Sequence, residues 1–312
     1  MAIPSPEFSD DDGMSDFSNV LDYFSRLSSL IILGSDSALP DSNVIPNKYD
    51  FSLGFCKSLA VLTFVKSNLD RVVALGTCRD TVQTLDVHNC EVVAVGQILL
   101  CDMVHKEPDE EALRNNDCRW QELRELNARG NRLSRIDRSI KLAPKITKID
   151  LSCNQLESLD NLTSLPYLSS LNLAFNKFAV LESLHMKLGQ ISTLNLASNS
   201  ITCLEGFQRL YSLMNLDLSC NKISDVQEVG HLGKLPCLEN LNLVGNSVVS
   251  SVDYRKKALL FFGDRAGDVR LDGQRASEVE LDTVAVWRAL ERAKNPNRAL
   301  SMFSTESSSV GL

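Results

Sequence analysis

Six asparagines, Asn131, Asn154, Asn176, Asn199, Asn221 and Asn246, recur at intervals of 23, 22, 23, 22 and 25 residues, and each closes the same phrase. The phrase reads LDNLTSLPYLSSLNLAFN as far as Asn176 and LEGFQRLYSLMNLDLSCN as far as Asn221. Its L-x-L centre alternates, so a short strand there turns two leucines to one side. The leucines after the Asn return on the opposite side and close the same apolar slab. One coil of this kind cannot bury the slab. Stacked coils bury it continuously, so the interval dictates a solenoid that grows in one dimension.

The pattern L-x-x-L-x-L-x-x-N is that of the leucine-rich repeat. The expected fold class is therefore α/β: a leucine-rich repeat solenoid with a concave parallel β-sheet, about eight short (22–23 residue) repeats and helical caps at both ends. The Asn leaves the strand at a tight bend, where its amide can pair backbone groups that would otherwise sit unsatisfied inside, so the six are read as a structural ladder. Worn copies precede them. In VQTLDVHNC, Leu85 and Val87 take the strand positions and Cys90 the ladder position; in LAVLTFVKS the same places fall to Leu62, Phe64 and Ser67, again 23 residues earlier. From Cys90 to Asn131 the interval is 41, and it holds the acidic stretch EPDEEALRNND, residues 107–117. A loop inserted into one turn is the expected reading, with a degenerate ninth turn as the alternative.

These intervals divide the chain into residues 1–16, a disordered or vector-derived tail; 17–50, an N-terminal capping segment; 51–95, degenerate repeats; 96–118, the inserted loop; 119–250, regular repeats; 251–294, a C-terminal cap; and 295–312, a second tail of low complexity. In the first cap, Phe17, Val20, Leu21, Phe24, Leu27, Leu30 and Ile31 fall at helical intervals. They predict a capping helix, or alternatively an amphipathic helix for a partner. After Asn246 the repeat phrase breaks. A D-Y-R, an apolar helix through Phe262 and V-x-L-D-G follow, so Tyr254, Leu259, Phe262, Val269 and Leu271 should roof the last turn. A further helix over 279–294 should pack on that roof through Leu281, Val284 and Trp287, with Ser277 and Glu280 as its capping box.

Charge and cysteine content narrow the partners. With 32 Lys and Arg against 40 Asp and Glu, the net charge of -8 argues against nucleic acid or an anionic membrane as the main ligand. Nine cysteines, an odd number, suit a reducing compartment, and Cys153 and Cys220 beside ladder asparagines are expected to be buried. No apolar run reaches the roughly 20 residues of a membrane helix. A cytoplasmic protein without membrane insertion is expected.

Catalytic signatures are missing: there is no phosphate-cradling GxxxxGK, no GxSxG and no HExxH. Cys101 and His105, with Cys90 and Cys118 around them, have ligand spacing but lack a second pair, so thiols are the expected reading and zinc the alternative. His88, His185 and His231 have no carboxylate or thiol at catalytic spacing. Neither an enzyme nor a cofactor is expected.

A partner would meet the concave face, where positions 3, 5 and 7 of each phrase point outward. The residues selected as partner-binding are Arg129, Lys148, Asp150, Asn172, Asn195, Asn215, Asp217, Asn240 and Asn242. Position 5 forms a file of short amides and acids from Asp86 to Asn242, and its alternative role is to solvate the sheet and bond along it. Phe175 and Phe178, on either side of Asn176, are expected to pack within the turn.

Several stretches resemble one family more closely than the repeat pattern requires. LAPKITKIDLSCNQLESLDNL, LESLHMKLGQISTLNLASN, LYSLMNLDLSCNKI, LPCLENLNLVGN and DYRKKALLFFGDRA with ELDTVAVWRALERAK are similar to the nischarin, or imidazoline-receptor-candidate, family over about residues 51–294. The resemblance implies an intracellular scaffold peripheral to endosomes. It also implies binding to Rab-family or Rac-family small GTPases, to Rac-activated kinases and to an integrin cytoplasmic tail, and restraint of cell migration. The family's phosphoinositide-binding domain has no counterpart in residues 1–50. Two rivals stay open: a regulatory subunit of a phosphatase or cytoskeletal complex, which shares short repeats, and an imidazoline-type small-ligand receptor.

Overall fold

Among the described residues ten short strands stack in one parallel sheet, each entered and left through one coil of the chain. The computed structural model describes residues 18–100 and 118–294; the expectations for 1–17, 101–117 and 295–312, including those for Cys101 and His105, lie outside the described residues. In chain order the elements are α1 (Ser18–Arg26), β1 (Ser29–Leu33), β2 (Phe51–Ser52), β3 (Val61–Val65), β4 (Val72–Val73), β5 (Thr84–His88) and α2 (Val95–Leu99). After the insertion come β6 (Glu125–Asn127), β7 (Lys148–Asp150), β8 (Ser170–Asn172), α3 (Leu184–Leu188), β9 (Thr193–Asn195), β10 (Asn215–Asp217) and β11 (Asn240–Asn242). The cap holds α4 (Tyr254–Leu260), β12 (Arg270–Leu271) and α5 (Glu278–Lys294). The sheet runs β1-β3-β5-β6-β7-β8-β9-β10-β11-β12, and β2 and β4 form a separate parallel pair.

Two of the ten strands depart from the expectation. The N-terminal helix stops at Arg26, and Leu30 and Ile31, assigned to it from their spacing, belong to β1, paired in register with β3 from Ser29↔Val61 to Leu33↔Val65. The cause is local. The run SLIIL is β-prone, and its alternate residues Leu30 and Ile32 pack against the core, a period-2 pattern that a helix cannot satisfy. The C-terminal cap adds β12, whose Leu271 pairs with Leu241. The inserted loop also begins later than expected, because residues 96–99 form most of α2. Trp120 is fully buried and its Nε1 donates to Leu99 O at 3.3 Å, which fixes the point where the chain leaves this turn beside the point where it returns.

The core is a continuous apolar stack. Strand residues Leu62, Leu85, Leu126, Ile149, Leu171, Leu194, Leu216 and Leu241 are all at most 3% exposed, as are the returning Leu133, Leu156, Phe178, Ile201 and Ile223. Burying each such side chain stabilises the fold by about 1.5–3 kcal/mol. Backbone groups between coils are paired by the ladder. Asn154 Nδ2 donates to Ala128 O and Leu151 O, both at 3.0 Å, while its Oδ1 accepts from Leu133 N at 3.0 Å. Asn131, Asn176, Asn199, Asn221 and Asn246 repeat this arrangement. Cys90 imitates it with a thiol, which accepts from Ser67 N and donates to Phe64 O, and Ser67 Oγ donates to Ile32 O at 3.1 Å.

The residue before each rung is left-handed. Lys66, Asn89, Gly130, Cys153, Phe175, Ser198, Cys220 and Gly245 all have φ between 51° and 78°. The bend that brings the rung inward turns this residue's side chain out, which corrects three expectations. Cys153 is only partly buried, Cys220 is exposed and Phe175 is 60% exposed, whereas Phe178, two places past the rung, is fully buried.

The cap closes the last coil. Tyr254, Leu259, Phe262, Val269 and Leu271 are all buried, Val284 of α5 is 2% exposed, and Leu281 is packed at its edge. Ser277 and Glu280 form the reciprocal box at the start of α5: Ser277 N donates to Glu280 Oε2 at 2.8 Å and Glu280 N to Ser277 Oγ at 3.3 Å. Arg265 reaches back to the carbonyls of Leu235 and Leu238, and Arg255 bridges Glu280 at 2.8 Å and Leu271 O at 2.8 Å.

Candidate partner-binding face

Because the register is unbroken, the outward positions of the ten strands form columns. The first runs Ser29, Val61, Thr84, Glu125, Lys148, Ser170, Thr193, Asn215, Asn240, Arg270, and the second Ile31, Thr63, Asp86, Asn127, Asp150, Asn172, Asn195, Asp217, Asn242. All nine residues selected from sequence lie on this one face: eight in the two columns, and Arg129 in the third, beside Ser152 and Ala174.

Much of the second column is committed to the fold. Asn127, Asp150, Asn172, Asn195, Asp217 and Asn242 each accept, through Oδ1, the backbone N–H two residues ahead, at 2.8–3.2 Å. A short side chain bonding its own backbone in this way ends the strand. Asn172 Nδ2 also donates to Asp150 Oδ2 at 2.8 Å, and Asn240 Nδ2 to Asn215 Oδ1 at 2.7 Å. The groups with charge left to offer are longer. Lys148 pairs with Glu125 at 2.7 Å but keeps 60% of its side chain exposed, and Arg129 is exposed. Such an exposed pair contributes at most about 1 kcal/mol, so a partner can compete for it.

Aromatic groups stand at the rims rather than on the sheet. Tyr167 (64% exposed) and Tyr211 (58%) precede β8 and β10, and Phe175 follows β8. Sequence periodicity hid Tyr167 and Tyr211 because their positions are variable in the phrase; the signal that could have found them is a large aromatic at a position that packing leaves free. His88 points outward in the third column, His185 sits in α3, and His231 Nδ1 lies 2.6 Å from Gln208 Nε2 on the convex side. A shallow depression of about 440 Å³ at the cap is lined by Val244, Tyr254, Arg255, Asp272 and Glu280, whose polar groups are already paired with one another. Among the described residues no group of three or more His, Cys, Asp or Glu is placed to hold a metal ion, and no helix is long and apolar enough to cross a membrane.

Residues 189–248 match the leucine rich repeat family. The chain is 30% identical over 189 residues, 59% of its length, to an uncharacterized leucine-rich repeat-containing protein of Schizosaccharomyces pombe, of which it spans 30%. It is 28% identical over 225 residues, 70% of its length, to the serine/threonine-protein kinase 11-interacting protein of Gallus gallus, of which it spans 19%. The Homo sapiens protein of the same name is 27% identical over 53% of the chain, which spans 16% of it. Among solved structures, a chain of the Drosophila melanogaster SNF/U2A' complex aligns at 23% identity and a TM-score of 0.35, over 52% of this chain and 79% of that one. The matched family is a repeat family rather than an enzymatic one.

Proposed function

We propose that this leucine-rich repeat solenoid is the partner-binding part of a protein-interaction scaffold of the nischarin type, and that its concave face receives a small GTPase, of the Rab family first and the Rac family second. The observation that carries the reading is the single register from β1 to β12, which presents columns of outward side chains on one rigid surface. Ten strands at about 4.8 Å give a face on the order of 43 Å long, enough for a folded protein and too open for a small molecule. A preorganised face loses little conformational entropy on binding. The GTPase class comes from the resemblance of the repeats and the cap to the nischarin family, which also supports roles in endosomal traffic and cell migration, and further contacts with Rac-activated kinases and an integrin tail.

The test uses Arg129 and Lys148, whose charged heads are not used to end strands. Arg129→Glu with Lys148→Glu should leave thermal unfolding unchanged and weaken binding of a GTP-loaded Rab protein at least about tenfold, a loss of about 1.4 kcal/mol. Unchanged affinity in the double variant would place the contact off this face.

A protein kinase is the second reading. It is favoured by the 28% identity, over 70% of the chain, to the serine/threonine-protein kinase 11-interacting protein. Titrating the chain with GTP-loaded Rab and Rac proteins and, separately, with a purified serine/threonine kinase distinguishes the two.

A further inference from the structure

The two ends of the sheet are finished differently. At the C-terminal end, Asp272 Oδ1 accepts Leu243 N–H at 2.7 Å, and Leu271 bridges back to Gln274, so the last strand's edge is turned in on itself. At the N-terminal end β1 is a five-residue edge strand without Pro, Lys or bulge, the devices that ordinarily guard such an edge.

Its hydrogen-bonding parity is fixed. Gly34 N donates to Val65 O at 2.9 Å and Val61 N to Ser28 O at 3.0 Å, so the even-numbered residues face β3. By the alternation of a strand, Ser29, Ile31 and Leu33 aim their N–H and C=O groups away from the sheet, where β1 has no neighbouring strand among the described residues. Their side chains are exposed too, Ile31 at 62% and Leu33 at 69%, and α1, just before β1 in the chain, shows Val20 at 48%, Leu21 at 40% and Tyr23 at 65%.

The geometry points to a second copy of this chain as the occupant of the edge, through antiparallel pairing of β1 with β1 about a twofold axis at Ile31. The outward groups belong to residues placed symmetrically about Ile31. An antiparallel partner therefore sets Ile31 opposite Ile31 and Ser29 opposite Leu33, and every outward N–H meets a C=O. On the concave side the two Ile31 side chains touch and each Leu33 lies next to the other copy's Ser29. This pairing uses the edge of the sheet and not its face, so it stands independently of the GTPase reading.

Sedimentation analysis of the full chain from low to high micromolar concentration tests it. The parent should associate to a dimer, and Ile31→Lys should weaken that association at least about tenfold with an unchanged circular dichroism spectrum, since the site is exposed. Tyr167→Lys, equally exposed but distant, should not. Under mild oxidation Ile31→Cys should give a covalent dimer mapped to position 31, because directly opposed Cα atoms about 5.5 Å apart can be bridged. A parent that stays monomeric, with the edge left to another protein or to a different segment of the chain, overturns the inference. So does a dimer that survives Ile31→Lys, or a crosslink that does not map to position 31.

Discussion

Tyr254 OH donates to Asp272 Oδ2 at 3.0 Å while the other oxygen of the same carboxylate accepts Leu243 N–H at 2.7 Å. In earlier coils the matching N–H finds a main-chain carbonyl of the next strand, as Leu218 N does with Asn242 O and Leu196 N with Asp217 O. At the end of the stack the next strand, β12, is only two residues long. Asp272 supplies a carboxylate in place of the carbonyl, and Tyr254 orients it. The D-Y-R and V-x-L-D-G motifs are thus two halves of one chain-terminating device.

This pair carries a pH signature. Burial first, and then the negative charge of Asp272, raise the Tyr254 pKa well above its ordinary value of 10.0. Its proton is held more tightly folded than unfolded, so its stabilisation is complete below about pH 10 and declines as pH rises beyond that. Tyr254→Phe should cost about 1–2 kcal/mol at neutral pH and flatten the alkaline loss of stability, measured by urea unfolding between pH 7 and 11.

Removing a rung should cost more than removing an ordinary surface amide. Asn154→Ala leaves Leu133 N without its partner in the interior and strips one of two amide donors from each of Ala128 O, which keeps Asn131, and Leu151 O, which keeps Asn176. A loss of about 3 kcal/mol is expected in denaturant unfolding, against less than about 0.5 kcal/mol for the exposed Gln155→Ala.

The left-handed Phe175 invites a separation of stability from binding. At φ 56° a bulky side chain is held where Asn or Gly is easier, and it is 60% exposed. Phe175→Asn should leave the melting temperature unchanged or raise it by a degree or two, and it should weaken any partner that reaches over the C-terminal rim. A clear loss of stability would contradict the outward orientation.

Thiol reactivity should follow position in the coil. Burial raises the Cys90 thiol, only partly offset by its backbone hydrogen bonds, and raises Cys56 as well. Exposed Cys220 and Cys237 should therefore be alkylated first at pH 8, and Cys56, Cys78 and Cys90 only on unfolding, as read by peptide mapping.

The sequence carried the fold where side chains repeat and failed where backbone geometry decides. The intervals from Ser67 to Asn246 located eight coils, and even the thiol rung at Cys90 was readable, because burial demands the same residue class at the same phase. Strand β1 was missed because Leu27, Leu30 and Ile31 satisfy a helical spacing while Leu30 and Ile32 satisfy an alternating one, and only pairing with β3 chooses between them. Phe175 and Cys220 were misplaced because phase alone does not reveal that the residue before each rung is left-handed, although Gly130 and Gly245 at the same phase are the trace of it. At the candidate face, position was legible while commitment was not. Which of Asp150, Asn172 and Asp217 are consumed by strand-ending bonds depends on main-chain direction beyond the strand.

Lysine footprinting of the chain with a saturating GTP-loaded Rab protein tests the central claim most directly. Lys148 on the concave face should lose acetylation in the complex while Lys141 and Lys234 on the outside of the coils keep theirs. Protection of Lys141 or Lys234 with Lys148 unchanged would contradict a concave contact.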